Sequence, residues 1–148
     1  MIGPRRQARE AALQILYFWE VGGADPGAAI DAYFQEHQSD ADDAVITFAS
    51  SLVMGTAQDV RELDALIERH LQHWRLERLA VIDRSILRMA AWELQHETDT
   101  AAAVVMNEAL ELARRFSTEE SVSFINGVLD SIRKSLDAAA EPAERDRS

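Results

Sequence analysis

The sequence has no cysteine, few prolines and glycines, and no long apolar run. Without cysteine, the chain cannot form a disulfide framework, a cysteine-ligated metal site or a cysteine nucleophile. No segment approaches the ~18 consecutive apolar residues of a membrane-spanning helix. Arg5 and Arg6 near the amino terminus are followed by no apolar run, so we expect no signal peptide. These absences favour a cytoplasmic protein.

The sequence does contain enough apolar surface for one domain core, since 47% of its 148 residues are hydrophobic. Apolar residues recur at helical spacing and do not alternate strictly, which predicts an all-α domain over residues 1–136. The expected helices are 5–21, 28–37, 41–72, 79–96, 101–116 and 119–136. The tail 137–148 has no apolar stripe, and we expect it to be disordered.

Local signals predict how some of these helices begin, bend and pack. Gly55 is expected to mark a bend or a packing contact inside the long segment 41–72. Ser117 and Glu120 have the spacing of a capping box, which predicts a new helix start. Gly127 is expected at a close helix contact, because a glycine in mid-helix otherwise only lowers stability. Asn107 is expected to bond a neighbouring helix or the backbone.

Charge is distributed unevenly along the chain. Fifteen basic residues stand against 26 acidic ones, a net charge of −11, which argues against non-specific coating of nucleic acid. Arg5, Arg6 and Arg9 nevertheless precede every acidic residue. The amino end is therefore a local basic patch, and any contact with nucleic acid should be small and directional.

The first helix presents two different faces at 100° per residue. The face expected in the core carries Ala8, Ala12, Ile15, Leu16 and Trp19. A second stripe carries Arg6, Arg9, Leu13 and Tyr17. One interpretation is a surface for single-stranded RNA, with arginines on phosphates and the tyrosine ring stacked on a base. The other interpretation buries Leu13 and Tyr17 against a second helix and leaves the arginines in solvent, and spacing alone favours it.

The last helix has a similar pattern. Its expected core stripe is Val122, Ile125, Leu129, Ile132 and Leu136. Phe124 lies roughly 120° from the centre of that stripe, either as a stacking platform or as a second buried edge. The backbone amides of residues 119–121 lie at a helix start, where a phosphate can bind, although two glutamates oppose this.

Signals for catalysis are weak. Glu93 and His96 have the E-x-x-H spacing of a di-iron helix, but the chain lacks the second such pair that this site requires. His70 and His73 do not have the spacing of a zinc-protease motif. No phosphate-binding loop or nucleophile elbow is present. We expect no catalytic residue, cofactor or metal.

Four segments, in this order, resemble one known family. They are RRQAREAALQILYFW at 5–19, IDRSILRMAAWEL at 82–94, NEALELARRF at 107–116 and SVSFINGVLD at 121–130. Together they resemble the NusB family of transcription antitermination factors over nearly the whole chain, except the tail and the region 22–45.

The resemblance implies a non-enzymatic helical fold of six to seven helices in two perpendicular sub-bundles. It implies binding of boxA-type RNA together with NusE, the ribosomal protein that doubles as a transcription factor. The pair would join NusA and NusG on RNA polymerase and suppress termination in ribosomal RNA operons.

The same resemblance assigns roles to individual residues. The RNA-binding residues would be Arg5, Arg6, Arg9, Tyr17, Glu120 and Phe124. The residue facing NusE would be Asp83. Gln7 stands where many relatives have arginine, and Ala101–Ala103 replace a familiar Pro-Tyr-Lys, so we expect fewer phosphate contacts.

Two other functions are considered. One is a protein-binding helical module that pairs with NusE, or with itself, and has no useful RNA affinity. The other is an RNA methyltransferase, because NusB-like domains occur fused to such enzymes, but with 148 residues, no cysteine and no Gly-rich nucleotide loop we expect no catalytic domain. The residues leave open whether the protein is a monomer or a homodimer.

Overall fold

The computed structural model describes residues 3–38, 40–73, 75–96 and 99–145, with side chains up to residue 139. These residues form seven α-helices and one short 3-10 turn, with no strand among them, which confirms the all-α prediction. The elements are α1 (Pro4–Gly22), α2 (Pro26–His37), α3 (Asp43–Gln58), α4 (Val60–Glu68), the 3-10 turn (Leu76–Arg78), α5 (Val81–His96), α6 (Ala102–Phe116) and α7 (Glu119–Arg145).

The first two helices begin and end where local chemistry requires. Pro4 and Pro26 occupy the first turns of α1 and α2, where a missing N–H leaves no hydrogen bond unmade. Helix α1 stops at Gly23, whose φ of 69° is left-handed and whose amide bonds the Trp19 carbonyl. Because glycine adopts this conformation without steric cost, the chain can turn sharply into α2.

The segment 41–72 is two helices, so the prediction of one continuous helix was wrong. The break falls at Asp59, between α3 and α4, and the bend is therefore not at Gly55. Gly55 instead lies against the indole of Trp92 on α5, where an added Cβ would overlap the ring. This confirms the packing interpretation of Gly55.

Three local predictions about α6 and α7 were wrong. Helix α7 begins at Glu119 as expected, but its cap is Thr118, whose Oγ1 accepts the Ser121 amide at 3.1 Å. Ser117 therefore does not cap the helix. Gly127 is exposed, and a Cβ there would meet nothing within 4 Å. Asn107 is also exposed, because α6 turns its neighbours Met106 and Ala109 inward.

Helix α7 extends further than the sequence pattern suggests. It runs to Arg145, whereas residues 137–148 were expected to form a disordered tail. Alanine, glutamate and arginine, which dominate this segment, are strong helix formers and continue a helix without an apolar stripe. Residues 146–148 lie outside the described residues.

The core is centred on α5, which contacts α1, α3, α4, α6 and α7. Helices α2 and α3 pack on α1 at one side, and α6 packs on α7 at the other. The predicted core face of α1 is confirmed, because four of its residues are buried and Trp19 packs against the core. The α7 stripe is confirmed in the same way, with Ile125, Leu129 and Ile132 fully buried. None of the described helices is long and apolar enough to cross a membrane.

Candidate nucleic-acid interface

Two arginines of the first turn of α1 are exposed. Arg5 donates to the Thr100 hydroxyl at 2.9 Å and lies 4.4 Å from the centre of the Phe48 ring. The Nε and Nη2 of Arg6 donate to the two carboxylate oxygens of Glu108, both at 3.0 Å. Hydrogen bonding to Glu108 raises the pKa of Arg6, which is cationic in any case. These two cations are accessible to an anionic ligand.

Arg9 lies in a different environment, in the interior of the protein. Its side chain is 4% exposed, and its Nε and Nη2 donate to the Glu93 oxygens at 2.8 Å. The expectation that Arg9 shares an exposed stripe with Arg6 was therefore wrong. The two residues are about 60° apart around α1, which is enough to aim Arg9 at α5 and Arg6 at α6. Arg9 and Glu93 neutralise each other inside the core.

The other two residues of the predicted stripe, Leu13 and Tyr17, also differ in exposure. Leu13 is fully buried, as the core interpretation proposed, whereas Tyr17 is 38% exposed. Tyr17 continues into an apolar surface that the sequence reading missed, formed with Phe18 and Val21, which are 50% and 59% exposed. The i, i+1 and i+4 spacing of these three apolar residues is a signal for such a surface, but the predicted stripe included only Tyr17.

A partly buried ion network ties the end of α1 to the 3-10 turn. Glu20 accepts from Arg84 at 2.6 Å and from Arg88 at 3.1 Å, and Arg88 also donates to both oxygens of Asp64. Arg84 further donates to the carbonyls of Leu76, Glu77 and Leu79. These bonds hold the turn and the residues after it against α5.

Asp83 lies in the first turn of α5 and is only 8% exposed. Its two oxygens accept the hydroxyls of Ser117 and Ser121, at 2.6 and 2.7 Å. The carboxylate thus fastens the α6–α7 junction to α5. The resemblance assigns Asp83 to the NusE side, and that assignment stays a prediction; the structure adds that both carboxylate oxygens already accept internal hydrogen bonds.

Glu120 and Phe124 belong to the first turns of α7 and lie beside Asp83 of α5. Glu120 is exposed and Phe124 is partly buried. With Arg78 and Asp83 they line an open groove of about 340 Å³. Phe124 is therefore neither wholly a core edge nor wholly a platform, because one side packs on the core and the other faces this groove.

Helix α6 connects the arginine corner to this groove. Glu108 near its middle pairs with Arg6, and Arg115 in its last turn pairs with Glu10 at 2.9 Å. Ser117, which bonds Asp83, follows two residues later. The predicted arginine Arg6 thus lies against the middle of α6 and the predicted residues of α7 follow its last turn, although no direct bond joins the two groups among the described contacts.

The E-x-x-H pair has no metal-site geometry. Glu93 binds Arg9, and His96 lies 3.2 Å from Asp59. Within the described residues, no group of three or more histidine or acidic side chains is placed to hold a metal ion.

The described residues form an all-α helical domain that presents exposed cations and aromatic rings near helix ends. Within this class of all-α domains, the chain belongs to the NusB family, whose family model matches residues 6–134. This confirms the resemblance inferred from the four sequence segments.

Individual relatives cover nearly the whole chain. The transcription antitermination protein NusB of Solibacter usitatus is 45% identical over 141 residues, which are 95% of this chain and 96% of that protein. The structure of T. maritima NusB is 35% identical with a TM-score of 0.80, covering 90% of this chain and 93% of that one. A structure of antitermination factors NusB and NusE in complex with dsRNA matches with 28% identity and a TM-score of 0.82. The match covers 91% of this chain and 99% of that one.

Proposed function

We propose that this protein is a cytoplasmic transcription antitermination factor that binds boxA-type RNA of nascent ribosomal RNA transcripts together with NusE. The observation that carries the proposal is the match, over almost the full chain, to the antitermination factors solved with RNA. The complex would act on RNA polymerase with NusA and NusG.

The RNA surface would consist of the exposed members of the predicted set. Arg5 and Arg6 would contact phosphates, Tyr17 and Phe124 would stack on bases, and Glu120 would accept a hydrogen bond from a base edge. Arg6 would exchange Glu108 for a phosphate. The exchange would cost little free energy, because surface ion pairs contribute little to stability. Arg9 contributes through its ion pair with Glu93, which fixes α1 on α5.

Asp83 would contact NusE while it keeps its hydrogen bonds to Ser117 and Ser121. A carboxylate offers about four lone-pair sites, and the two serines use two of them. NusE would meet the remaining edge of Asp83 at a corner whose shape the two serine bonds fix.

The alternative, a module that binds NusE or a second copy without useful RNA affinity, has its own support. The arginine patch is largely satisfied internally, since Arg6 and Arg9 each bind a carboxylate with two nitrogens. Gln7 and Ala101–Ala103 offer no compensating cation.

A titration with single-stranded boxA-type RNA separates the two functions. We expect binding that weakens with salt and strengthens when the organism's own NusE is present. NusE binding without any gain in RNA affinity would reject the RNA function and support the protein-binding module.

Replacing Glu108 with glutamine is expected to tighten RNA binding about two- to fivefold. The substitution frees Arg6 from its ion pair and removes one negative charge beside the RNA. Fluorescence anisotropy with labelled RNA measures the change. The matched control is Glu111→Gln, which removes the same charge from the same helix but releases Arg114 instead. Equal effects of the two variants would show that only net charge matters.

A further inference from the structure

Phe124 lines a second groove besides the one that contains Asp83. This groove, about 370 Å³ in volume, lies between residues 70–73, just after α4, and the stretch of α7 from Ser123 to Ser131. Because Phe124 belongs to both grooves, they meet at its ring. None of the sequence-predicted site residues other than Phe124 lines the second groove.

The second groove differs in charge from its neighbours. The grooves beside Glu20, Asp83 and Glu10 all contain carboxylates. Among the described residues that line the second groove there is none, although the protein carries a net charge of −11. An anionic chain would therefore meet less repulsion here than in those other grooves.

Its polar groups suit the edges of a nucleobase. Gln72 provides an amide, His73 an imidazole and Ser123 a hydroxyl, so donors and acceptors are both present. His70 bonds Ser131 at 2.7 Å. Burial and the nearby Arg69 lower the pKa of His70, which favours the neutral form of the ring.

Gly127 forms an open part of the groove wall. It is exposed in the middle of α7, where glycine weakens a helix, and no neighbouring helix requires the missing side chain, since a Cβ would meet nothing within 4 Å. The absence of a side chain leaves room for a flat group to approach the backbone one turn from Phe124.

We propose that this groove is a nucleotide subsite, which takes the base adjacent to the one stacked on Phe124. The inference rests on the proposed RNA function and extends its surface from Phe124 to the groove beside Gly127. The base would lie against the glycine backbone with Leu71 and Val128 as apolar contacts, and its edge would bond Gln72 or His73.

Gly127→Leu tests the subsite by filling it. Helical side chains lean toward the preceding turn, so leucine at this position would cover Ser123 and Phe124. The variant should fold well, because it replaces an exposed mid-helix glycine with a stronger helix former. Gly127→Ala is the matched control, since it restores the helix while adding only a Cβ to open space.

We expect Gly127→Leu to weaken binding of single-stranded boxA-type RNA about tenfold, measured by anisotropy with NusE present, and Gly127→Ala to bind as the wild type does. RNA shortened one nucleotide at a time from either end should lose the difference between the two variants once the subsite nucleotide is gone. Equal affinities of both variants for the full RNA would overturn the subsite while the RNA function stands.

Two other outcomes also decide against the subsite. If Gly127→Leu weakens NusE pairing without RNA, the groove holds a protein segment. If the wild-type protein binds no RNA, the proposed function fails and the subsite fails with it, a result distinct from equal affinities of the two Gly127 variants.

Discussion

Replacing Glu93 with alanine is expected to lower the free energy of unfolding by about 3–5 kcal/mol. The reason is the charge that remains behind, because the side chain of Arg9 is only 4% exposed and binds both Glu93 oxygens at 2.8 Å. Removal of the Glu93 carboxylate leaves a largely buried guanidinium that cannot lose its proton and has lost two charge-assisted hydrogen bonds. Urea unfolding followed by circular dichroism measures the loss.

A double variant tests whether the loss of stability comes from an unpaired charge or from the absence of the Arg9–Glu93 ion pair. Arg9→Met combined with Glu93→Leu removes both charges and keeps apolar volume, so it should be far more stable than Glu93→Ala. Glu111→Ala removes an exposed acid and should change stability by less than about 0.5 kcal/mol. If Glu93→Ala were as stable as Glu111→Ala, the buried ion pair would not hold α1 on α5.

Asp83→Ala is expected to lower the free energy of unfolding by about 2–4 kcal/mol, since hydrogen bonds to a charged group each contribute about 1.5–3 kcal/mol. The substitution removes both bonds that join α5 to the α6–α7 junction. Partial hydration of Ser117 and Ser121 limits the loss. Thermal and urea unfolding, run in parallel, measure it.

Combining Asp83→Ala with Ser121→Ala tests whether the lost hydrogen bonds cause the loss of stability. If the two side chains interact as the 2.7 Å contact indicates, the double variant should lose less than the sum of the single variants. Asp130→Ala is the control, because Asp130 pairs only with Lys134 one turn away on the surface of α7 among the described contacts. Strict additivity would contradict the role given to Asp83.

Sequence periodicity predicted the helices and their core faces because burial repeats with the helical turn. The same arithmetic could not predict what lies opposite each face. Arg6 and Arg9 are the same amino acid on one helix, yet Glu108 holds the first at the surface and Glu93 holds the second in the core. Their partners are 102 and 84 residues away, a separation at which a single sequence carries no pairing information.

Two glycines also show that a single sequence does not predict which element lies opposite a helix face. Gly55 and Gly127 both lie within helices, and each was expected at a packing contact. Only Gly55 has a neighbour, the Trp92 indole, whereas Gly127 faces open space in the groove beside Phe124. A glycine in a helical pattern indicates that a side chain is missing, but the position of the neighbouring element decides whether packing or access to a ligand is the reason.

The local error at Ser117 has a related cause. Ser117 and Thr118 are both good helix caps, and the pattern of a capping box favoured the first. In the folded protein Asp83 offers Ser117 a charged acceptor, so Thr118 becomes the cap. A tertiary hydrogen bond therefore changed which residue caps the helix, while the helix itself begins at Glu119, as expected.

We propose that exposed Arg6, and not buried Arg9, meets the RNA phosphates. The dependence of RNA affinity on salt tests it most directly, since each phosphate contact with a single strand contributes about 0.7 to the slope of log affinity against log salt. We predict that Arg6→Ala lowers this slope by about that amount, whereas Arg9→Met with Glu93→Leu keeps the wild-type slope. An unchanged slope for Arg6→Ala together with a reduced slope for the double variant would show that Arg9, and not Arg6, meets the phosphates.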